Sequence, residues 1–262
     1  MIKSIKIKIA GILGLCIFFA NTSIAQESEE SGLLKQPDQG FDFLFNGRDL
    51  SGWHVFTDNK GKDPNLFKAE NGMIHAYPGQ TPNTLQSFGG IATDKNYDSY
   101  ILSLEYRWGE NKYEPRVNFV RDAGIIFHVH GPEEIWPNGV ECQIQEGDTG
   151  DIWVIGCQVT SKVEPFTRNY SSEGALATRG SVESRYNRFH RSYMWETPGW
   201  NKVVIEVDGD HANYFVNGKL VNEVLQMKYQ DGEEWKPLLS GKILLQAEGA
   251  EIYYRNIQLK QK

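Results

Sequence analysis

Residues 121–151 constrain the fold more than any other stretch, because two segments within them alternate apolar and polar residues with the two-residue period of a β-strand. In the first segment, one face carries Ile125, Phe127 and Val129. In the second, the matching face carries Val140, Cys142 and Ile144. We expect the two segments to be strands that bury both apolar sets, Val129 included, in the core of a sheet protein.

The opposite face of the same two segments is polar and rich in groups that can do chemistry. Its members are Asp122, Gly124, Ile126, His128 and His130 in the first segment, and Glu141, Gln143 and Gln145 in the second. A sheet surface that needed only solubility would more often carry Lys, Thr and Ser, so imidazoles beside a carboxylate and two amides indicate a functional site. An ordinary solvated sheet face is the alternative interpretation.

The rest of the chain repeats the pattern of short alternating segments separated by turn signals. Asn71-Gly72 and Asn217-Gly218 are hairpin turns of the kind that joins adjacent antiparallel strands. Residues 165–196 are the least regular part, and their basic side chains predict either a solvated loop or a contact with a ligand. Hardly any segment has the spacing of apolar residues that a helix requires, so the pattern predicts an all-β domain of antiparallel strands.

The first 25 residues have the features of a secretory signal peptide. Three lysines precede an apolar run over residues 9–20, and Ser23 and Ala25 offer small side chains at the cleavage positions. Because the run is too short to span a bilayer comfortably, we expect cleavage near Ala25, a secreted or periplasmic protein, and no stable membrane insertion afterwards. An uncleaved anchor is the alternative. Residues 26–39 are predicted to be a flexible leader, and the domain proper is predicted over residues 40–260.

Charge and cysteine content exclude several classes of partner. The formal net charge of the chain is -7, and loss of the three lysines in the signal segment lowers it by three, to -10. A protein this acidic lacks the basic surface that phosphate backbones require, which excludes nucleic acid as a partner. A neutral or cationic small molecule is favoured as the partner instead. Cys142 and Cys157 remain after cleavage, and we expect two buried thiols, with a disulfide as the alternative.

Missing motifs narrow the chemistry further. The sequence has no Gly-x-Ser-x-Gly elbow, no His-Glu-x-x-His zinc motif, no phosphate loop and no dinucleotide fingerprint, so no nucleotide cofactor is expected. Carboxylates and imidazoles on the sheet are therefore the candidates for catalysis. Glu141 and Glu146 could serve as acid and base, since a partly buried carboxyl beside a second carboxyl can have its pKa raised towards neutrality.

The same face also offers groups for a metal ion and for a sugar. His128, His130 and Glu141 could hold a divalent cation with open coordination positions. Amides that both donate and accept hydrogen bonds suit sugar hydroxyls, and tryptophan rings suit the apolar face of a pyranose. The residues that fit these two roles are Gln143, Gln145, Trp136 and Trp153.

Longer motifs in this region and beyond it resemble one secreted carbohydrate-active family. They are RDAGIIFH (121–128), WP (136–137) and E-x-Q-I-Q-E-x-D-T-G-D (141–151), with FNG (45–47), WN (200–201), NG (217–218), Q-x-E-G (246–249) and RNI (255–257) outside the region. Together and in this order they are similar to the 3-keto-disaccharide hydrolases, a family of 3-keto-glucoside 1,2-lyases and 3-keto-2-hydroxy-glucal hydratases. The resemblance covers roughly residues 40–259 and implies a concanavalin A-like jelly roll, a sandwich of two antiparallel sheets with a concave sugar-binding face.

The resemblance also implies a reaction. A ketone at C3 of a glucoside acidifies the proton at C2, so that a base can remove it, the aglycone at C1 can leave by elimination, and water can add to the resulting glucal. For this chemistry we assign Glu141 or Glu146 as base with the other as acid, and His128 as the electrophile or, with Glu141, as a metal ligand, because of their positions on one face of the sheet. The residues expected to contact the substrate are Arg121, Asp122, His130, Trp136, Gln143, Gln145, Asp148 and Trp153.

Two other functions remain open at this point. Retaining jelly-roll glucanases carry a strand of the form Glu-x-Asp-x-x-Glu, and here the outer glutamates are kept while Gln143 replaces the central aspartate. A glycosidase acting on unmodified glucosides is therefore one alternative. The other is a carbohydrate-binding module without catalysis, which would bind a sugar but not turn it over.

Overall fold

Antiparallel strands form the regular structure of the chain, as seen in a computed structural model that describes residues 36–58, 65–181 and 183–262. Within these residues there are nineteen strands and no α-helix. The strands are β1 (Asp42–Phe43), β2 (Trp53–Thr57), β3 (Phe67–Glu70), β4 (Met73–Ala76), β5 (Gly89–Thr93), β6 (Tyr100–Lys112), β7 (Asp122–His130), β8 (Asn138–Gln145), β9 (Ile152–Ile155), β10 (Gln158–Val163), β11 (Ala175–Arg179), β12 (Tyr186–Phe189), β13 (Asn201–Asp208), β14 (His211–Val216), β15 (Lys219–Val224), β16 (Gln226–Asp231), β17 (Glu234–Pro237), β18 (Lys242–Ala247) and β19 (Ala250–Gln261).

Two large sheets and one small sheet contain these strands. Sheet I has the order β15-β14-β13-β6-β19-β4-β3, with β1 beside β19. Sheet II has the order β12-β9-β8-β7-β18-β5-β2, and sheet III has the order β11-β10-β16-β17. The predicted fold class, an all-β jelly-roll sandwich of antiparallel sheets, is confirmed, and sheet III is an addition to the two expected sheets.

Local turn chemistry explains how neighbouring strands are joined. The Asn71-Gly72 turn connects β3 to β4, and the Asn217-Gly218 turn connects β14 to β15. All four residues have positive φ, between 48° and 77°. Asparagine and glycine tolerate this conformation, and its twist matches that of the flanking strands, so the two predicted hairpins form at their predicted turns.

One large apolar core lies where the inward side chains of sheets I and II meet. Sheet II contributes Ile125, Phe127, Val140, Cys142 and Ile144, and all five are fully buried. Burying each large apolar side chain stabilises the fold by about 1.5–3 kcal/mol. The predicted core face is therefore confirmed for these five residues. Cys142 and Cys157 are free, buried thiols, as expected.

A β-bulge in β7 changes the faces of the residues that follow it. Phe127 pairs with Val140 of β8, but the next pair is His130 with Asn138, so β7 contains one more residue than its partner. His128 lies in the bulge with a φ of 51°. Because one extra residue reverses the alternation, Val129 packs with Ile126 on the outer face of sheet II. The prediction that Val129 shares the core face with Phe127 is wrong for this reason.

The predicted signal peptide and most of the predicted leader, residues 1–35, lie outside the described residues. No helix in the described part of the chain has the length and apolar character needed to cross a membrane.

Candidate active site

Three buried carboxyl groups lie on the outer side of sheet II. Asp122 begins β7, Glu141 is in β8, and Glu248 follows β18 directly. Their exposed fractions are only 6%, 4% and 4%. Since β7 lies between β8 and β18 in the sheet, the three groups come from adjacent strands. Asp122 and Glu141 were predicted from the alternation, whereas no functional role was predicted for Glu248.

Arg116 links two of these carboxyl groups. Its Nη1 donates to Oδ2 of Asp122, and its Nη2 lies 3.0 Å from Oε2 of Glu248. Each carboxyl also has a second partner. Nε2 of Gln143 donates to Oδ1 of Asp122 at 2.6 Å, and Nε1 of Trp136 donates to Oε1 of Glu248 at 2.7 Å. Arg116 and these donors thus orient Asp122 and Glu248. Gln143 and Trp136, which were predicted to contact a sugar, form hydrogen bonds with these two carboxyl groups.

Glu141 lacks such partners. Its carboxyl group forms no hydrogen bond or ion pair with any residue that the structure describes. Burial raises the pKa of Glu141 well above its usual range, and the neighbouring carboxyl groups of Glu248 and Asp122 raise it further. The charges of Arg116 and Arg188 oppose this rise. A carboxyl group whose pKa is raised in this way is suited to donating a proton.

The other two members also have raised pKa values. Burial is the main cause for both Asp122 and Glu248, and the positive charge of Arg116 opposes it. Asp122 additionally raises the pKa of Glu248, because two like charges would lie side by side. The positive charge of Arg188 also acts on Glu141, but three ionised carboxyl groups would still repel one another. The cluster as a whole therefore favours holding at least one proton.

Aromatic side chains border the cluster. Trp136 and Trp153 are partly buried and pack against a small apolar cluster on the outer face of sheet II, which includes Ile126 and Leu244. Trp153 is the cross-strand partner of Glu141 in the β8–β9 pair. Both tryptophans therefore lie next to the carboxyl cluster, and their role as a sugar platform stays a prediction.

Glu146 and Arg121 lie elsewhere and bind each other. Oε1 of Glu146 is 2.5 Å from Nη2 of Arg121, and Oε2 accepts the backbone N–H of Arg121 at 2.8 Å. These hydrogen bonds lower the pKa of Glu146. The pair lines a cavity of about 840 Å³ together with Trp108 and Tyr253. The structure does not bring Glu146 to Glu141, so the predicted acid–base pair is not formed by these two residues.

His128 and His130 do not face Glu141 either. Nε2 of His128 donates to the backbone oxygen of Gly209 at 2.8 Å, and burial lowers the pKa of the ring. Nδ1 of His130 donates to the backbone oxygen of His128 at 3.1 Å, and its ring packs on Tyr229. The bulge in β7 turns both rings away from the polar face, so the prediction that they lie beside Glu141 is wrong.

The predicted metal site does not fit this arrangement. His128 and Glu141 do not converge, because His128 points to the loop between β13 and β14. Within residues 36–58, 65–181 and 183–262, no group of three or more His, Cys, Asp and Glu side chains could hold a metal ion.

Gln145 and Asp148 occupy two different surroundings. Gln145 is the cross-strand partner of Asp122, and its side chain helps to lower the pKa of that carboxyl group, so it belongs to the cluster. Asp148 instead forms ion pairs of 2.8 Å with both Arg188 and Arg191. The same two arginines bind Asp151, which is fully buried. Arg188 and Arg191 of the irregular segment are thus paired with protein carboxylates, and Asp148 helps to hold this part of the segment in place.

Sequence reasoning missed three residues of the site, namely Arg116, Gln246 and Glu248. The signal for Gln246 and Glu248 was present in the Q-x-E-G motif, which contributed to the family resemblance but was given no chemical role. Arg116 follows Pro115 in a segment between β6 and β7 that shows no periodic pattern. Nothing local in the sequence indicates that its guanidinium reaches Glu248.

Solved structures with a similar fold come from Parabacteroides distasonis. Two proteins of this organism, each provisionally named a glycosyl hydrolase, match the chain with a TM-score of 0.51. One is 21% identical, and the match covers 85% of this chain and 94% of the other. The second is 17% identical, with 85% and 99% covered. At these identities the likeness shows the shared fold alone.

Two comparisons by sequence had different outcomes. A comparison with the curated proteins found no match. The family model of the 3-keto-alpha-glucoside-1,2-lyase-like domain matches residues 40–260, which is most of the chain. The motifs that carry the resemblance include the strand residues of the carboxyl cluster. The protein therefore belongs to the 3-keto-alpha-glucoside-1,2-lyase-like family.

Proposed function

We propose that the protein is an enzyme that cleaves 3-keto-glucosides by removing the proton at C2 and eliminating the aglycone from C1. Membership in the family supports a carbohydrate-active enzyme. The observation that carries the finer proposal is Glu141, a buried carboxyl group with a raised pKa beside two carboxyl groups that Arg116 orients. A site that must both donate and accept protons requires groups whose protonation differs in this way.

The elimination assigns a separate task to each kind of group. A carboxylate of the Asp122 and Glu248 pair takes the C2 proton, and the electrons of the C–H bond form the C1–C2 double bond. The bond from C1 to the aglycone oxygen breaks, and Glu141 gives its proton to that oxygen. Arg116 is the cation of the cluster, and it stabilises the negative charge that develops on the C3 oxygen.

Hydration completes the reaction in the same site. Water adds to C1 of the glucal and a proton returns to C2, so the net change is cleavage of the glucoside by one water molecule. The carboxyl groups exchange roles in this second step, which restores their starting protonation. Trp136 and Trp153 would hold the sugar face, and the amides of Gln143 and Gln145 would orient the carboxyl cluster beneath it.

The glycosidase alternative has less support from this geometry. Retaining glycosidases need two carboxyl groups about 5–5.5 Å apart on either side of the scissile bond, with one of them a free nucleophile. Glu146, the second outer glutamate of the glucanase-like pattern, is held by Arg121 in a different cavity. A binding module, the other alternative, has no need of a buried proton donor.

The test is turnover by the purified protein. A 3-keto-glucoside and its unmodified glucoside are incubated separately in deuterium oxide, and released aglycone and deuterium at C2 are measured. We expect release and C2 exchange only with the 3-keto compound. Equal release from both compounds without exchange would support a glycosidase, and sugar binding without release would support a binding module. A parallel incubation with a chelator tests for a divalent metal held by groups other than His128.

We also propose that the mature protein is secreted or periplasmic and begins near Gln26. The support is the lysine-rich start, the short apolar run and the small residues before position 26. Sequencing the terminus of the protein from its native host decides this, and an intact Met1 on a cytoplasmic protein would contradict it.

A further inference from the structure

Gln246 is a buried amide whose hydrogen-bonding groups have no partner. The residue is fully buried in β18. Neither Oε1 nor Nε2 forms a hydrogen bond with any described residue. Leaving such a group unpaired costs about 1–3 kcal/mol, so a buried amide in this state calls for an explanation.

The amide oxygen of Gln246 meets the carboxyl group of Glu141. Both side chains extend over Gly124 of β7, the strand that lies between them. A Cβ atom on Gly124 would overlap Oε1 of Glu141 and Oε1 of Gln246 alike. The two oxygens therefore share the space that this glycine leaves open, and each is a neighbour of the other.

Tyrosines of the opposite sheet hold both residues at the backbone. The hydroxyl of Tyr214 donates to the carbonyl of Glu141 at 3.4 Å, and the hydroxyl of Tyr254 donates to the carbonyl of Gln246 at 3.1 Å. Both tyrosines are fully buried in sheet I. The two strand positions are thus fixed from the core side, and the encounter of their side chains on the outer side follows from the fold.

Two neighbouring oxygen atoms repel each other unless one of them carries a hydrogen that the other accepts. An amide oxygen can only accept a hydrogen bond, whereas a protonated carboxyl group can donate one. We propose that Gln246 is a positioning residue for Glu141, with its amide oxygen accepting the hydrogen bond of the Glu141 carboxyl group and fixing how that group is oriented. The role of Glu141 as a proton donor rests on the proposed function, whereas the hydrogen bond between Glu141 and Gln246 does not.

An infrared experiment tests the hydrogen bond without any substrate. The carbonyl band of a protonated carboxyl group is recorded at neutral pH and assigned to Glu141 by its loss in Glu141→Gln. We expect the band to move to higher frequency in Gln246→Met, because a carboxyl group that loses its hydrogen-bond partner has a stiffer carbonyl bond. Gln258→Met is the matched control, since Gln258 is a buried strand glutamine that binds Asp38 instead.

The result can overturn the proposal in two ways. If Glu141→Gln removes no band at neutral pH, Glu141 is ionised and Gln246 cannot accept its proton. If the band is present but does not move in Gln246→Met, the two groups are not hydrogen-bonded. Should Gln246→Met fail to fold, Gln246→Asn decides, because it keeps the amide but withdraws it by one methylene group and is expected to shift the band in the same direction.

Turnover provides a second readout that separates this inference from the proposed function. We expect Gln246→Met to lower kcat for the 3-keto-glucoside by about tenfold to a hundredfold with KM unchanged, because a misaligned donor affects the chemical step. In the Glu141→Gln background, Gln246→Met should lower kcat no further. If the wild type does not turn over the 3-keto-glucoside, the proposed function fails, whereas the infrared result still decides the role of Gln246.

Discussion

Glu141 and Glu146 have opposite electrostatic surroundings although they are close neighbours in the chain. Oε1 of Glu146 lies 2.5 Å from a guanidinium nitrogen of Arg121, and the pKa of Glu146 is lowered. The carboxyl group of Glu141 has no partner among the described residues, and its pKa is raised by burial and by two neighbouring carboxyl groups. A glutamate whose pKa is raised and a glutamate whose pKa is lowered thus lie on either side of the end of strand β8.

The first prediction compares these two glutamates. Glu141→Gln preserves the shape of the side chain and removes its proton, so we expect turnover of a 3-keto-glucoside to fall by about a hundredfold to ten-thousandfold. Glu146→Gln is the matched control and should retain turnover to within a few-fold. Circular dichroism should show intact strands in both variants. A larger loss of turnover in Glu146→Gln than in Glu141→Gln would contradict the assignment of Glu141 as the proton donor.

The second prediction concerns stability as a function of pH. Since the folded state raises the pKa of Glu141, the folded protein binds this proton more tightly than the unfolded chain does. The resulting stabilisation is fully present below the unfolded pKa of about 4.3 and is lost as pH rises through the folded pKa. Glu141→Gln does not titrate, so its free energy of unfolding should increase relative to wild type as pH rises. Urea unfolding across this pH range measures the difference, and a constant difference would exclude a raised pKa.

The third prediction uses the glycine beneath the Glu141 carboxyl group. A methyl group on Gly124 would overlap the ends of Glu141 and Gln246, so Gly124→Ala should displace both and reduce kcat strongly. Gly90 is the register partner of Gln246 in β5, and a methyl group there would touch the side chain of Leu244 instead. Gly90→Ala is therefore the control, and we expect it to keep most of the activity. Equal effects of the two substitutions would indicate a general disturbance of sheet II.

The fourth prediction concerns Arg116. Its removal in Arg116→Met takes away the positive charge that lowers the pKa values of Asp122 and Glu248, so both should hold protons more tightly in the folded state. The loss of stability should then be small in mild acid and grow to about 1–3 kcal/mol as pH rises, because each buried carboxyl group must ionise without its partner. Denaturant titrations at acidic and alkaline pH check this. A penalty independent of pH would show that Arg116 does not interact with ionised carboxylates.

The fifth prediction separates His128 from catalysis. His128→Asn keeps a residue type that tolerates the positive φ of the bulge but removes the hydrogen bond to Gly209. We expect a destabilisation of about 1–2 kcal/mol and turnover by the folded protein within a few-fold of wild type. Thermal unfolding and initial rates measure the two effects. If a folded His128→Asn variant lost as much activity as Glu141→Gln, His128 would have a role in the reaction.

The alternation of side chains determined much of this protein from the sequence by itself. A strand places successive residues on opposite faces whatever its neighbours are, so the core positions of Ile125 and Cys142 and the outer positions of Glu141 and Gln143 could be predicted locally. Hairpin turns are equally local, because Asn217-Gly218 adopts the required positive φ on its own. These features sufficed for the all-β sandwich and for two of the three carboxyl groups in the cluster, Asp122 and Glu141.

The rest was decided by the tertiary structure. The bulge at His128 arises where β7 must pair with both β8 and β18, and a single inserted residue there reverses every later side chain. Arg116, Asp122 and Glu248 come together only because β7 and β18 are neighbours, and strand order depends on contacts between distant segments. The electrostatic state of Glu141 has the same origin, since burial and the charges within a few ångströms set a pKa, and neither is a property of the residues next to it in sequence.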